Sequence, residues 1–421
     1  MRDFDVLIVG AGVVGATMAS LLVARKLAAP GRVAIVAERF APAYPMPESE
    51  WDLRVFALSR ASQRLLKVSG AWANLPSDKM AAYERMRVWD ARGEPRGRGS
   101  LGFDCAELGE PNLGFIVEGR ALQHQTLRAA VAAGVVCIEA AVAGVAVGES
   151  GVRVSLGDGR ELGSQLLIAA DGTASRTREL LRFETAGHAY HQDALVAHVR
   201  TARPHERTAW QRFLPTGPLA FLPLPDGRSS IVWSMARAEA ARLRALDAAA
   251  FGAALTSASG EVLGCCELTT PVASFPLKLQ YALDYVGPRA VLLGDAAHAV
   301  HPLAGQGLNL GLLDCAALTE VLSEGGAAGF FGEHKLLRRY ERSRRSENLL
   351  AAAALDGLER LFSGDDPLRM RMAGLGLVDR VPFIKRQLAE RALGLTGDLP
   401  GFLRGEAGAS GLKADRLSRR R

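Results

Sequence analysis

Residues 4–9 read FDVLIV, a short run apolar but for Asp5 that predicts a buried parallel strand. A glycine-rich turn follows, and residues 16–26 carry helical spacing. Residues 32–37 (RVAIVA) repeat the buried-strand pattern, so the three segments form one βαβ unit. Residues 41–51 are a proline-rich loop, residues 59–66 look helical, and the glycine- and arginine-rich residues 93–102 predict a surface crossing. Residues 120–133 predict a helix with Leu122, Leu127 and Val131 on one side. Residues 151–170 read as strands, with Asp158-Gly159 turning residues 152–156 back onto 166–170.

From about residue 190 the pattern changes. Short runs at 194–199, 211–214, 219–224 and 230–234 resemble strands of an antiparallel sheet, with Pro225-Asp226-Gly227 as a turn. Residues 237–255 are alanine-rich and helical, residues 290–293 are another buried strand, and the chain to 395 is mostly helical, ending amphipathic and basic. No internal repeat is visible. The fold class is therefore α/β: a Rossmann-like nucleotide-binding domain assembled from separated segments, an inserted antiparallel-sheet domain, and a helical C-terminal region.

Composition narrows the class. The 421 residues suffice for about two to three domains. A hydrophobic fraction of 48% with 23% charged is that of a soluble globular protein. Cys105, Cys137, Cys265, Cys266 and Cys315 form no CxxC pair and are odd in number, which fits a reducing compartment without a disulfide framework or zinc site. The net charge is +6, with Arg404, Lys413, Arg416, Arg419, Arg420 and Arg421 against Glu406 and Asp415 at the end of the chain. A solvated tail is the default reading, and no motif supports a nucleic-acid partner. The first strand begins within a few residues of Met1, so no targeting segment is expected. No apolar run reaches ~20 residues, so no transmembrane helix is expected, and the location read from this is cytoplasmic.

The chemistry begins at Gly10-Ala11-Gly12-Val13-Val14-Gly15, a GxGxxG that follows a strand and opens a helix. Gly10 permits the tight turn, Gly12 leaves room for a pyrophosphate, and Gly15 lets helix and sheet approach. The helix start offers free N–H groups and a positive dipole end. Glu38 ends the second strand, 23 residues after Gly15, where a carboxylate accepts hydrogen bonds from ribose hydroxyls. This motif alone does not separate FAD from NAD. Asp171-Gly172, followed by Ser175 and Arg178, is by itself an ordinary turn. The third motif is Gly294-Asp295-Ala296-Ala297-His298, continuing through His301-Pro302-Leu303-Ala304-Gly305-Gln306-Gly307-Leu308-Asn309-Leu310-Gly311. An acidic residue at a strand end can bind sugar-alcohol hydroxyls, and a glycine loop opening a helix can offer N–H groups to an electron-rich ring edge.

These three motifs, in this order and spacing, resemble the group A aromatic hydroxylases, the flavoprotein monooxygenases similar to para-hydroxybenzoate hydroxylase. The runs 52–59 (DLRVFALS), 114–120 (GFIVEGR), 208–213 (TAWQRF), 217–224 (GPLAFLPL) and 230–234 (SIVWS) look like the ubiquinone-biosynthesis hydroxylase family, and the likeness covers residues 3 to about 400. One departure is Gly119, where the family usually has Asn; it alters a local contact near the flavin.

The resemblance implies FAD as cofactor and NAD(P)H as co-substrate. Gly10, Gly12, Gly15 and Glu38 would hold the ADP half of FAD, and Arg120 its phosphate or ribityl region. Asp171 would serve FAD and NAD(P)H use, and Asp295 would bind the ribityl chain. Gly307, Leu308 and Asn309 would line the pyrimidine edge. Arg54 would sit near the isoalloxazine ring, and His301 and Pro302 in the loop beside it, with His301 a candidate for proton transfer. The implied domains are residues 1–73, 98–183 and 281–350 for FAD, 74–97 and 184–280 for substrate, and 351–421 as the helical end. The implied reaction is hydroxylation of a prenylated phenol or quinol with O₂ through a flavin C4a-hydroperoxide, in ubiquinone biosynthesis. No strong acid–base pair is needed, and none is evident. The i, i+3 spacing of His298 and His301 lacks the further ligands of a metal site, so no metal is expected.

Because such a substrate resides in the membrane, Arg369, Arg371, Arg380, Lys385, Arg386 and Arg391 are candidates for contact with the inner membrane face, against the alternative of a solvated helix face. Other ubiquinone-biosynthesis proteins are candidate partners. Three other functions stay open: a hydroxylase of another aromatic compound, a flavin dehydrogenase or reductase, and a flavin-loaded non-catalytic member of a biosynthetic complex.

Overall fold

A computed structural model describes residues 3–40, 51–97, 100–299, 306–325 and 331–363, with short pieces at 386–387, 390, 393–394 and 400–403. In chain order the first elements are β1 (Val6–Val9), α1 (Val13–Ala24), β2 (Val33–Ala37), β3 (Val55–Leu58), α2 (Arg60–Val68), β4 (Met80–Tyr83), β5 (Arg85–Asp90), β6 (Ser100–Asp104), α3 (Cys105–Leu108), β7 (Gly114–Glu118) and α4 (Gly119–Ala132). Then come β8 (Val136–Glu139), β9 (Val142–Val147), β10 (Val152–Leu156), β11 (Glu161–Ser164), β12 (Leu166–Ala169), α5 (Arg176–Leu180), β13 (Thr185–Thr201), β14 (Thr208–Leu214), β15 (Gly217–Pro223) and β16 (Ser229–Ala236). The last are α6 (Arg237–Arg244), α7 (Ala248–Ser259), β17 (Cys266–Leu268), β18 (Ala273–Ala282), β19 (Val286–Gly287), β20 (Ala290–Leu292), β21 (His298–Ala299), α8 (Gln306–Glu324) and α9 (His334–Ser363).

The first sheet has the order β19-β20-β12-β1-β2-β8 and is parallel except at β19. Every residue of β1, β2 and β12 is buried, because both faces are covered. Val6, Ile8, Val33, Ile35, Leu166 and Ile168 join the core that includes α1 and α8. The alternate residues Leu7, Val9, Ala34, Val36 and Leu167 pack instead with Val152, Val154 and Leu156 of β10. Truncating Leu7 or Ile8 to Ala opens a cavity on one of these faces, at a cost of about 2–5 kcal/mol.

The hairpin at Asp158-Gly159 differs from the expected one. It joins β10 to β11, with Val152 opposite Ser164. β12 leaves that sheet and pairs in parallel with β1, Ile8 beside Ile168. The four apolar residues of β12 are all buried, whereas β11 keeps an exposed and partly exposed face suited to the outer layer.

The second sheet is larger and runs β21-β18-β13-β16-β15-β14-β5-β6. It is antiparallel throughout except for the parallel pair β5 and β14. Residues 100–102, the end of the expected surface crossing, belong instead to β6 at the edge of this sheet. Residues 237–255 make two helices rather than one, because the Asp247 carboxylate accepts the Ala250 N–H at 2.7 Å and caps α7. Two small three-stranded sheets, β11-β10-β9 and β3-β7-β4, accompany the two large ones.

Candidate active site

A cleft of about 2240 Å³ lies between the two main sheets, lined by the glycine turn after β1, the ends of β2 and β12, the residue 51–57 segment and one face of the large sheet. Its nucleotide end is built from backbone. Gly10 has φ +114°, and a Cβ there would stand 2.2 Å from the Ala170 carbonyl oxygen. A Cβ on Gly15 would stand 2.1 Å from the Gly10 oxygen, so this residue fixes α1 against its own turn. Gly12 is different: a Cβ there meets nothing within 4 Å, because the residue faces the cleft. Two glycines thus serve packing, and the third leaves open the space that a pyrophosphate needs before the start of α1. Glu38, at the end of β2, is exposed on the same wall.

The second motif is joined to the third. Asp171 accepts hydrogen bonds from the Ser175 hydroxyl and, at 3.0 Å, from the Thr177 N–H, which shapes the turn into α5. Arg178, buried at the start of α5, donates to the Thr173 carbonyl and to the Ala296 carbonyl, both at 3.0 Å. The Asp171 and Asp295 turns are held at a fixed separation by this one guanidinium. Asp295 is open to the cleft yet crowded by protein atoms; that crowding pushes its carboxyl above the usual range, while His298 and Arg54 oppose the rise.

Arg54 also lines the cleft, its guanidinium 5.8 Å from the centre of the Phe56 ring. Its carbonyl accepts the Gly119 N–H at 2.8 Å, and its own N–H donates to Asp52 at 3.1 Å. Gly119, the departure noted in the sequence, has little room for a side chain: a Cβ would come within 2.8 Å of the Arg54 oxygen and 3.0 Å of an Asp52 oxygen. Arg120 is half exposed on the cleft wall, 4.0 Å from Asp52. Glu118, behind them, accepts the Asp52 N–H at 2.8 Å, and burial pushes its carboxyl upward.

Gly307 and Leu308, in the first turn of α8, line the cleft. Asn309 does not. Its side chain is buried beneath, accepting from the Ser59 N–H (2.9 Å) and the Ser62 hydroxyl (2.7 Å) and donating to the Ala57 carbonyl (2.8 Å). It fastens α8 to β3 and α2. His301 and Pro302 lie outside the described residues, as do Arg369, Arg371, Arg380, Lys385 and Arg391; Arg386 is described, paired with Glu390 at 2.7 Å.

His298 faces away from solvent, donating from Nε2 to Asp314 at 2.6 Å and stacking on Tyr285. Burial alone would raise the Asp314 carboxyl, but His298 and Arg344 hold it down at about 2. Among the described residues no group of three or more metal-ligating side chains is present. The Asp314 cluster had no sequence motif to mark it; Arg178 follows the second motif, but its bond to the Ala296 carbonyl in the third could not be read from spacing.

The wall of the large sheet follows strand alternation. Leu195, Ala197 and Val199 of β13 belong to the core beneath α6 and α7, so Ala194, Val196 and His198 point to the cleft side. Val196 sits opposite Val232, and Val232 opposite Ala220, giving a surface of small and apolar side chains. At one end His198 is fully buried, 6.2 Å from the Trp51 ring, and burial together with Arg228 brings its imidazole down to about 4. Residues 194–199 are apolar but for His198, so cleft and core sides are separated by strand geometry and not by a polar alternation in the sequence.

A parallel sheet carrying a glycine cradle, facing an antiparallel sheet across one cleft, defines a dinucleotide-binding protein. The chain belongs to the FAD binding domain family, which matches residues 3–353. It is similar to the 3-demethoxyubiquinol 3-hydroxylase of Escherichia coli K12, at 34% identity over 398 residues, 93% of this chain and 98% of that protein. It is also similar to ubiquinone hydroxylase UbiL of Rhodospirillum rubrum, at 37% identity over 409 residues, 95% of this chain and 92% of that one. The fold resembles that of P. aeruginosa PqsL in complex with 2-aminobenzoylacetate, with a TM-score of 0.71 at 24% identity, covering 88% of this chain and 99% of that one.

Proposed function

We propose that this protein is an FAD-dependent monooxygenase that hydroxylates the aromatic ring of a prenylated phenol or quinol in ubiquinone biosynthesis, with NAD(P)H and O₂ as co-substrates. The observation that carries this reading is the cleft itself. One enclosure joins the glycine cradle, the Asp295 turn and the α8 start to a wall of Val196, Val232 and Ala220 that suits an apolar ring. The E. coli and R. rubrum relatives, both named as hydroxylases of ubiquinone-type molecules, support the substrate class.

In this reading Gly10, Gly12, Gly15 and Glu38 hold the ADP half of FAD. Arg120 serves the phosphate or ribityl region, Asp171 shapes the turn used by FAD and NAD(P)H, Asp295 holds the ribityl chain, and Gly307, Leu308 and the backbone of Asn309 line the pyrimidine edge. Arg54 borders the ring. Hydride acceptance from NAD(P)H and activation of O₂ are the chemistry that FAD supplies when bound. The chain orients the two reactants and keeps water from them. Residues 1–73, 98–183 and 281–350 serve the cofactor, 74–97 and 184–280 the substrate, with β6 lent to the substrate sheet.

No helix among the described residues is long and apolar enough to cross a membrane. A membrane-resident substrate therefore calls for peripheral contact with the inner membrane face, and other proteins of the same pathway are candidate partners. The test is NAD(P)H oxidation by FAD-loaded protein with and without a prenylated phenol. Stimulation with formation of a hydroxylated product supports the proposal; oxidation indifferent to every phenol tried refutes it.

A further inference from the structure

The turn that carries Asp295 is gripped at both ends by one buried carboxylate. Asp314 Oδ2 accepts the Gly294 N–H at 3.2 Å and the His298 Nε2–H at 2.6 Å, so Asp295 stands between two anchored residues. Asp314 Oδ1 accepts from Arg344 Nε at 2.9 Å and Asn348 Nδ2 at 3.1 Å, and Arg344 also donates to the Asn348 oxygen at 2.7 Å. Asp314 lies on α8, two turns beyond Gly307 and Leu308, while Arg344 and Asn348 lie on α9, which carries none of the nucleotide motifs. Asp314, His298, Arg344 and Asn348 are all at most 4% exposed. A carboxylate this deep keeps its charge only while its partners stay in place. With Arg344 gone, Asp314 must protonate or draw His298 and the turn toward a new arrangement.

We propose that Arg344 and Asn348 are positioning residues for the cofactor: acting through Asp314, they set where Asp295 and the first turn of α8 stand. This rests on the FAD assignments above and extends them to a helix that no motif marks.

The test uses full-length apoprotein and FAD, with affinity read by quenching of flavin fluorescence and geometry by the visible circular dichroism of the bound flavin. A change in global stability alone leaves the affinity of folded apoprotein untouched, which separates positioning from mere support. Arg344→Leu and Asn348→Ala are expected to weaken FAD binding by about tenfold or more and to alter the flavin signal, with Arg344→Lys restoring part of both. Should Arg344→Leu not fold, Asn348→Ala decides, since it removes one hydrogen bond to Asp314 and leaves the ion pair. Folded variants with wild-type affinity and an unchanged flavin signal overturn the proposal. Wild-type apoprotein that binds no FAD overturns the cofactor assignment and this inference with it.

Discussion

The Asn309 carboxamide accepts the backbone N–H of Ser59 at 2.9 Å, joining two positions 250 residues apart in the chain. The same side chain takes the Ser62 hydroxyl and donates to Ala57, so the start of α8 is registered against β3. Asn309→Leu strands these groups in a buried site. Urea unfolding is expected to show a loss of about 2–4 kcal/mol, accompanied by weaker FAD binding. Unchanged stability would mean that the contacts are not maintained in solution.

The three glycines of the first motif are expected to respond differently to the same substitution. Gly10→Ala places a Cβ 2.2 Å from the Ala170 oxygen at φ +114°, so it should compromise folding as well as cofactor binding. Gly12→Ala meets nothing within 4 Å, so the apoprotein should melt within about 0.5 kcal/mol of wild type while FAD affinity collapses. Calorimetry of the apoproteins alongside FAD titration separates the two. A Gly12→Ala protein that bound FAD normally would remove the pyrophosphate from this turn.

His198 makes stability depend on acid. The unfolded imidazole titrates near 6.5 and the folded one near about 4. Its contribution is therefore complete above about pH 6.5 and is lost as pH falls toward 4, by roughly 3 kcal/mol at most. Asp314, held at about 2, titrates below this window. His198→Leu is expected to flatten the stability profile between pH 6.5 and 4.5. An identical slope in wild type and variant would assign it to other groups.

Ala220 faces the cleft between Val232 and Gln211 on neighbouring strands. Ala220→Phe fills that wall without touching the nucleotide cradle. KM for the phenol is expected to rise at least about tenfold with FAD affinity unchanged, whereas a joint loss of both would place the cofactor against this strand.

The parts of this fold that sequence revealed are local ones. The run of residues 4–9, the GxGxxG turn and Glu38 are neighbours in a single βαβ unit, so pattern and chemistry coincide there. The hairpin after β10 was misjudged because residues 161–164 and 166–169 are both strand-like, and only burial on two faces sends the latter to β1. The α6–α7 break turns on one side chain, Asp247, set in an alanine-rich run whose propensity favours a continuous helix. Asn309 was expected at the flavin edge because it sits in the third motif; its partners Ala57, Ser59 and Ser62 come from a distant segment that no spacing connects. The Asp314–Arg344 pair was hidden for the same reason: each is an ordinary charged residue in a helix until the fold buries them together.

The central claim is oxygen insertion, and it is tested most directly by isotope. FAD-loaded protein would be given NAD(P)H, heavy-isotope O₂ and prenylated phenols in detergent, and the products weighed by mass spectrometry. One heavy oxygen atom in a ring-hydroxylated product is the expected result. A product whose added oxygen comes from water, or NAD(P)H oxidation that yields hydrogen peroxide across the whole phenol panel, would contradict it.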